Sequence, residues 1–299
     1  SRLAFAFRSG GRMLVADPGI LNYEMSDPMA PYGKSTAAHS TLNIGGMNQS
    51  GADAQLLRTE LAPEVALIQA RYEGGYWQGE YRWNFKGRGA GTYGRHERIL
   101  LWRRGEYILV LDSMEADAGA DIRNCWQLGP VEGWSQDAEA LAWWSENRGT
   151  NVVVELLAAP PGAGMRVFDG SKDPLRGWVG VHGNDHAAAP LVEFRYTGSG
   201  RPAVSAAFVA AFQGANRPRL RRTAISARGP IQLLEIGLPD GSTDRVAWAF
   251  GLELPIDGGE PFTSDGRLVW MRTDRAGRPR RWFTLDGRYL EYEGRVLTS

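Results

Sequence analysis

The residues best suited to chemistry are few. The sequence has four histidines, His39, His96, His182 and His186, and a single cysteine, Cys125. His39 ends the run Ser35-Thr36-Ala37-Ala38-His39, just ahead of the apolar alternation Leu42, Ile44. Upstream, Asp17-Pro18-Gly19 closes the short apolar run Met13 to Ala16. A carboxylate at one strand end and an imidazole at the start of the next can meet across a sheet edge. Both are good zinc ligands, although a tetrahedral zinc takes about four ligands in all. On spacing alone a plainer reading stands beside this one. Asp17 then caps its own turn, and His39 is an ordinary hydrogen-bonded histidine.

Other clusters are weaker. His182-Gly183-Asn184-Asp185-His186 has the residue types of a compact metal loop, but nothing in the sequence fixes their directions. Tyr72 to Trp83 is dense in aromatic side chains. It reads either as a sugar-stacking surface or as one face of a strand pair. His96 opens a strong strand pattern beside Glu97. A carboxylate pair such as Glu73 and Glu80 is the minimum a sandwich glycoside hydrolase needs. Cys125, between Asn124 and Trp126, reads as a core residue and cannot form an internal disulfide. No phosphate-cradling glycine loop, G-x-S-x-G elbow or H-E-x-x-H helix occurs, which removes the main nucleotide-dependent and zincin chemistries.

These groups need a scaffold, and the pattern that supplies one is alternation. Leu3, Phe5 and Phe7 read as one face of a first strand. Ile99 to Trp102 and Tyr107 to Leu111 flank a polar turn, predicting a hairpin. Val152 to Leu157, Leu191 to Tyr196, Ala203 to Phe212, Ile231 to Ile236 and Val246 to Leu254 continue the series, and the last 40 or so residues read as a meander. Asp-Gly pairs at 169, 240, 257, 265 and 286 provide the positive φ that tight turns need. Helical period is weak everywhere; only Ala52–Leu57 and Asp137–Trp144 allow a turn or two. The expectation is an all-β chain, a large antiparallel β-sandwich with a smaller C-terminal β unit. The basic, Pro-containing stretch 214–222 suggests two domains, 1–216 and 217–299.

Composition sets the outer bounds. The 299 residues are 43% hydrophobic and 23% charged, with 34 basic and 34 acidic side chains, so a sizeable core is available. The zero net charge argues against a nucleic-acid binder. No apolar run is long enough to span a membrane. Only Lys34, Lys86 and Lys172 are lysine, so an anion site would rest mainly on guanidinium forks. The first residues carry no secretory leader pattern and already read as strand, so the chain is expected to begin within a fold.

Taken in order, these pieces form a series. Arg12 to Gly19, then Tyr32, then Ser35 to Ser50, resembles the heparinase II/III-like family. That family shows a "DPG" turn, then "Y-x-x-S-T-A-A-H-N-T" running into "V-D-G-x-D-Q". Ala70 to Tyr76 followed by His96-Glu97-Arg98-Ile99-Leu100-Leu101 is similar to its later "G-Y … H-x-R-x-V" stretch. The close likeness covers roughly residues 3–130. It implies the β-sandwich portion of a polysaccharide lyase, cleaving a uronic-acid-containing polysaccharide such as a glycosaminoglycan or alginate by β-elimination. The alternative is a non-catalytic carbohydrate-binding or scaffold module. The resemblance further implies an N-terminal (α/α) toroid as partner, absent from this sequence, and a bacterial periplasmic or secreted location. It implies a structural zinc whose ligands include Asp17 and His39, with a third on the family's upstream "G-H-G-H-A-D" stretch, which this sequence lacks. Tyr23 and Tyr32 become the candidate catalytic residues; Tyr76, Trp77 and Tyr81 the candidate substrate-binding ones. Three departures stand out. Leu21 lies where the family's tyrosine follows "DPG", Ser40 replaces the usual Asn, and Gly46 the usual Asp. Without the toroid, the chain alone is expected to be inactive.

Overall fold

The structure is a computed structural model and describes residues 1–78, 91–220, 222–228, 230–250, 256 and 262–298. The chain forms two compact units, Ser1–Arg217 and Pro218–Ser299. Both are built of antiparallel sheets, as the alternation requires.

In the first unit an eight-stranded sheet faces a four-stranded one. The larger sheet runs, in spatial order, Trp134–Asp137, Ala142–Ser145, Thr150–Ala158, Ala203–Gln213, Tyr107–Ala116, Gly94–Arg103, Val65–Tyr72 and Gln55–Leu61. The smaller runs Gly164–Phe168, Leu191–Thr197, Asp121–Gln127 and Leu42–Ile44. Every second side chain points inward, so Val110, Val152, Val154 and Val209 of one sheet meet Trp126, Val192 and Phe194 of the other. Phe5 packs edge-on against the fully buried Trp126, ring centroids 5.7 Å apart. The expected hairpin at 99–111 is present, and its turn uses Gly105 at φ +75°.

A second cluster, with Leu42, Ile44, Tyr72, Tyr76, Met114, Ile122 and Tyr196, forms a separate part of this core. The second unit pairs a five-stranded sheet with a three-stranded one. Its turn at Asp240–Gly241 has Gly241 at φ +91°.

Three local expectations change. The first strand is Phe7–Ser9, not 3–7, because Leu3 lies at φ +60°, outside extended geometry. Ala52–Leu57 and Asp137–Trp144 carry no helix: the strands Gln55–Leu61, Trp134–Asp137 and Ala142–Ser145 occupy them, and ladder pairing overrides a weak local period. Among the described residues the α-helix is Met29–Lys34, which Pro28 precedes and Pro31 enters within its first turn, where a missing N–H costs nothing. Among the described residues no helix is long and apolar enough to cross a membrane.

Candidate functional site

The site lies where Asp17, the Met29–Lys34 helix and the 36–50 segment meet. The Asp17 turn is held on both sides. Ala16 N–H donates to Gln127 O at 2.8 Å and Gly180 N–H to Pro18 O at 2.8 Å. Gly180 permits that approach, since a Cβ there would lie 2.7 Å from Ile20 O. Asp17 Oδ1 accepts the Gly19 N–H at 2.9 Å, the capping role its spacing suggested, which leaves Oδ2 to point elsewhere.

Oδ2 points at His39. The His39 Nε2 lies 3.6 Å away, with Asp17 63% exposed and the imidazole 9% exposed. His39 caps the one-turn 3₁₀ helix Thr36–Ala38, and its Nδ1 donates to Ser35 O at 2.7 Å. A carbonyl only accepts, so Nδ1 carries the proton. Burial pushes the imidazole down, against the opposing pull of Asp17 and of the Ser35 carbonyl. Near neutral pH His39 is therefore uncharged, with the Nε2 lone pair facing a carboxylate. Two electron-rich groups so oriented suit a shared cation, and the backbone bond at Nδ1 is the usual support of a ligating histidine. The donor set fits zinc in type. Among the described residues no group of three His, Cys, Asp or Glu surrounds a common point.

The loop carrying His39 is braced from three directions. Thr36 N–H donates to Asn48 Oδ1 and Gln49 N–H to Thr36 Oγ1, both at 2.8 Å. Gln49 clasps the Arg2 backbone, its Oε1 accepting Arg2 N–H at 2.6 Å. Beneath, Arg98 Nη1 donates to Ser40 O and to Leu3 O, each at 2.8 Å. The Arg98 fork is itself bidentate on Asp112, at 2.7 and 2.9 Å, and His96 Nε2 adds a bond to Asp112 at 2.8 Å. All three side chains are buried. Arg98 offsets the burial of Asp112 and, with His96, holds its carboxyl down at about 2, while burial lowers His96.

A cleft of about 530 Å³ opens over this edge, lined by Arg2, Asp17, Lys34, Thr36, His39, Gln49 and Asp53 among others. Arg2 and Lys34 give its wall two cations, and Asp17 and Asp53 two anions.

The other predicted residues are dispersed. Tyr23 is 67% exposed. Tyr32 is buried with Leu21, Met29 and Ala38; its hydroxyl accepts Gly177 N–H at 2.9 Å, and burial pushes the phenol up to about 12. Tyr76 is 1% exposed, its hydroxyl donating to Leu42 O at 3.2 Å, so its ring is core rather than surface. Trp77 pairs with Asn48. Tyr81 and Glu80 lie outside the described residues; Glu73 pairs with Arg95 at 3.0 Å. His182 and His186 sit on the hairpin Trp178–His182/Asp185–Ala188, where His186 packs edge-on against Trp178. Cys125 is buried, and burial pushes its thiol up to about 12, as befits a core residue. Sequence reasoning missed Arg2, Lys34, Arg98 and Asp112. Asp112 had a signal: a carboxylate that directly follows the continuous apolar run Tyr107 to Leu111 in one strand.

Comparison with known proteins agrees with this fold. No curated protein sequence matches the chain. Among solved structures, a heparinase III gene product aligns at TM-score 0.67 with 12% identity, over 83% of this chain and 36% of its own. The heparan sulfate lyase HepC from Pedobacter heparinus aligns at TM-score 0.63 with 17% identity, over 79% of this chain and 34% of its own. A further heparinase III aligns at TM-score 0.65 with 14% identity. At such identities these likenesses speak for the fold, and the chain spans about a third of the structures it matches. The profile of the heparinase II/III-like C-terminal domain matches residues 1–223, so the chain belongs to the heparinase II/III-like family.

Proposed function

We propose that this chain is the β-sandwich part of a polysaccharide lyase that cleaves a uronic-acid-containing polysaccharide by β-elimination. The observation that carries this reading is the Asp17–His39 edge beneath the cleft, in a chain whose sequence matches the family over 223 residues. Elimination needs three things: neutralisation of the uronate carboxylate, removal of the adjacent ring proton, and protonation of the departing oxygen. Arg2 and Lys34 supply cationic character in the cleft wall. Tyr23, exposed near the Asp17 turn, is better placed to meet substrate than Tyr32, whose phenol is buried and bonded to Gly177. Tyr32 then supports the Asp17 turn by packing on Leu21.

Asp17 and His39 would hold a zinc ion, which when bound supplies a cross-link and a fixed positive charge at the cleft edge. His39 is ready for that role: uncharged, buried and oriented by Ser35. The remaining catalytic groups would come from an N-terminal toroid facing this edge, so the chain alone should not turn over. A periplasmic or secreted location suits such a substrate.

The test uses the full-length gene product and this chain in parallel with heparin, heparan sulfate, alginate and related uronides. Absorbance of the unsaturated product should rise with at least one substrate for the full-length protein, and with none for the chain. Release of reducing ends without that absorbance would instead indicate a hydrolase. Binding of polysaccharide without any turnover by the full-length protein would leave the carbohydrate-binding module as the correct reading.

A further inference from the structure

On the outward face of the four-stranded sheet, three guanidinium groups and two carboxylates lie together away from the cleft lining. Alternation along Asp121–Gln127 turns Ile122 and Trp126 into the core between the sheets and Asp121 and Arg123 to the opposite face, where both are partly exposed while Cys125 further along is buried. The register sets Arg123 directly across from Arg195. Two like charges side by side need anions, and both are present. Arg123 Nε and Nη2 donate to Asp121 Oδ2 at 3.0 and 2.8 Å. Arg195 also binds Asp121 and lies 3.5 Å from Glu193.

Arg123 Nη1 remains, 4.0 Å from Glu193 and beyond hydrogen-bond reach of it. It is directed at Gly46. Arg176 approaches the same point from the other side: its Nη1 donates to Leu175 O at 2.8 Å, and its Nη2 faces Gly46. Among the described residues no carboxylate pairs with Arg176, so within this group of five the guanidiniums outnumber the carboxylates by one. Gly46 lies at φ +78°, with its N–H donated to Asn43 Oδ1 at 2.9 Å. A Cβ on Gly46 would stand 2.9 Å from Arg123 Nη1 and 3.5 Å from Arg176 Nη2. Two donor nitrogens therefore converge beside the half-exposed Gly46. Arg123 is 19% exposed and fixed by Asp121, so little freedom is lost when its free N–H donates to an anion.

We propose that Arg123 and Arg176, beside Gly46, form an oxyanion subsite separate from the Asp17–His39 cleft, taking the carboxylate or sulfate of an acidic saccharide. Planar guanidinium forks suit both groups. Only the word saccharide rests on the lyase reading; the anion chemistry stands on this geometry alone.

The test is an NMR titration of the chain, following the Arg Nε–Hε signals with sodium sulfate and, separately, sodium glucuronate, at ionic strength held constant with chloride. The Arg123 and Arg176 signals should shift saturably with at least one of the two, and which one responds distinguishes sulfate from carboxylate recognition. Gly46→Asp places a carboxylate between the two forks and should abolish the saturable shift. Arg176→Gln, at a half-exposed position, should weaken binding about tenfold while leaving the amide spectrum folded. Shifts equal across all arginines, no saturable shift with either anion, or full binding in both variants would overturn the proposal. Because no turnover is read, a failed lyase assay leaves this result unaffected.

Discussion

Two histidine–carboxylate pairs lie in the same half of the sandwich and do opposite things. His96 and Asp112 stand 2.8 Å apart with no exposure, and Arg98 closes the group with a bidentate fork. His39 and Asp17 stand 3.6 Å apart, the carboxylate is mostly exposed, and no guanidinium is bonded to either. In the first pair a proton already joins the partners, charge is balanced, and the group ties the strands Gly94–Arg103 and Tyr107–Ala116 to the chain at Leu3 and Ser40. In the second the imidazole proton is committed to Ser35, so a lone pair faces the carboxylate. A third partner and the direction of one proton separate a scaffold pair from the pair we propose as ligands.

The comparison breaks first at Asp112. Asp112→Ala leaves Arg98 buried without its counter-ion, and removing one member of such a pair costs about 3–5 kcal/mol. Urea unfolding followed by tryptophan fluorescence should show a midpoint lowered accordingly. A loss under about 1 kcal/mol would mean the group is not the brace described.

Acid should find the same pair. Burial holds His96 below its ordinary value, so near neutrality both states are unprotonated there. As pH falls through about 6.5 the unfolded chain gains a proton that folded His96 resists, so stability declines. Asp112, held at about 2, adds a further loss as pH drops from about 4 through that value. Stability curves against pH should therefore fall on the acid side, and His96→Gln should flatten the upper part of the slope. An unchanged slope in that variant would place the titrating group elsewhere.

Smaller effects belong to the loop. Asn48→Ala removes the acceptor for Thr36 N–H, a cost of about 1–3 kcal/mol for a buried donor left unmet. Hydrogen exchange at the Thr36 amide should speed up, with the strands Gly94–Arg103 and Tyr107–Ala116 unaffected locally.

The β-architecture was legible because burial on a sheet face writes period two into the chain, as in Tyr107 to Leu111 against Ile99 to Trp102. The paired chemistry of Asp17 and His39 was legible only as an ordered series, since no local rule says that residues 22 apart will face each other. The helix at Met29–Lys34 was hidden, because six residues around Pro31 and Gly33 show no period, and packing of Gly33 against Leu21 holds it in place. Tyr76 misled for a physical reason: aromatic density looks the same whether the rings stack on sugar or, as here, fill part of the core. The Arg123–Arg176 convergence depends on a turn at Gly46 and a register between distant strands, neither of which the sequence spells out.

The central claim is that the open pair, not the closed one, holds a cation. Metal analysis of the full-length gene product tests it, with His39→Ala and, as a control on the exposed hairpin, His182→Ala. The account predicts one zinc per chain in the wild type, full retention in His182→Ala and a loss of most of the metal in His39→Ala. A wild type without stoichiometric zinc, or a His39→Ala protein that keeps it all, would contradict the account.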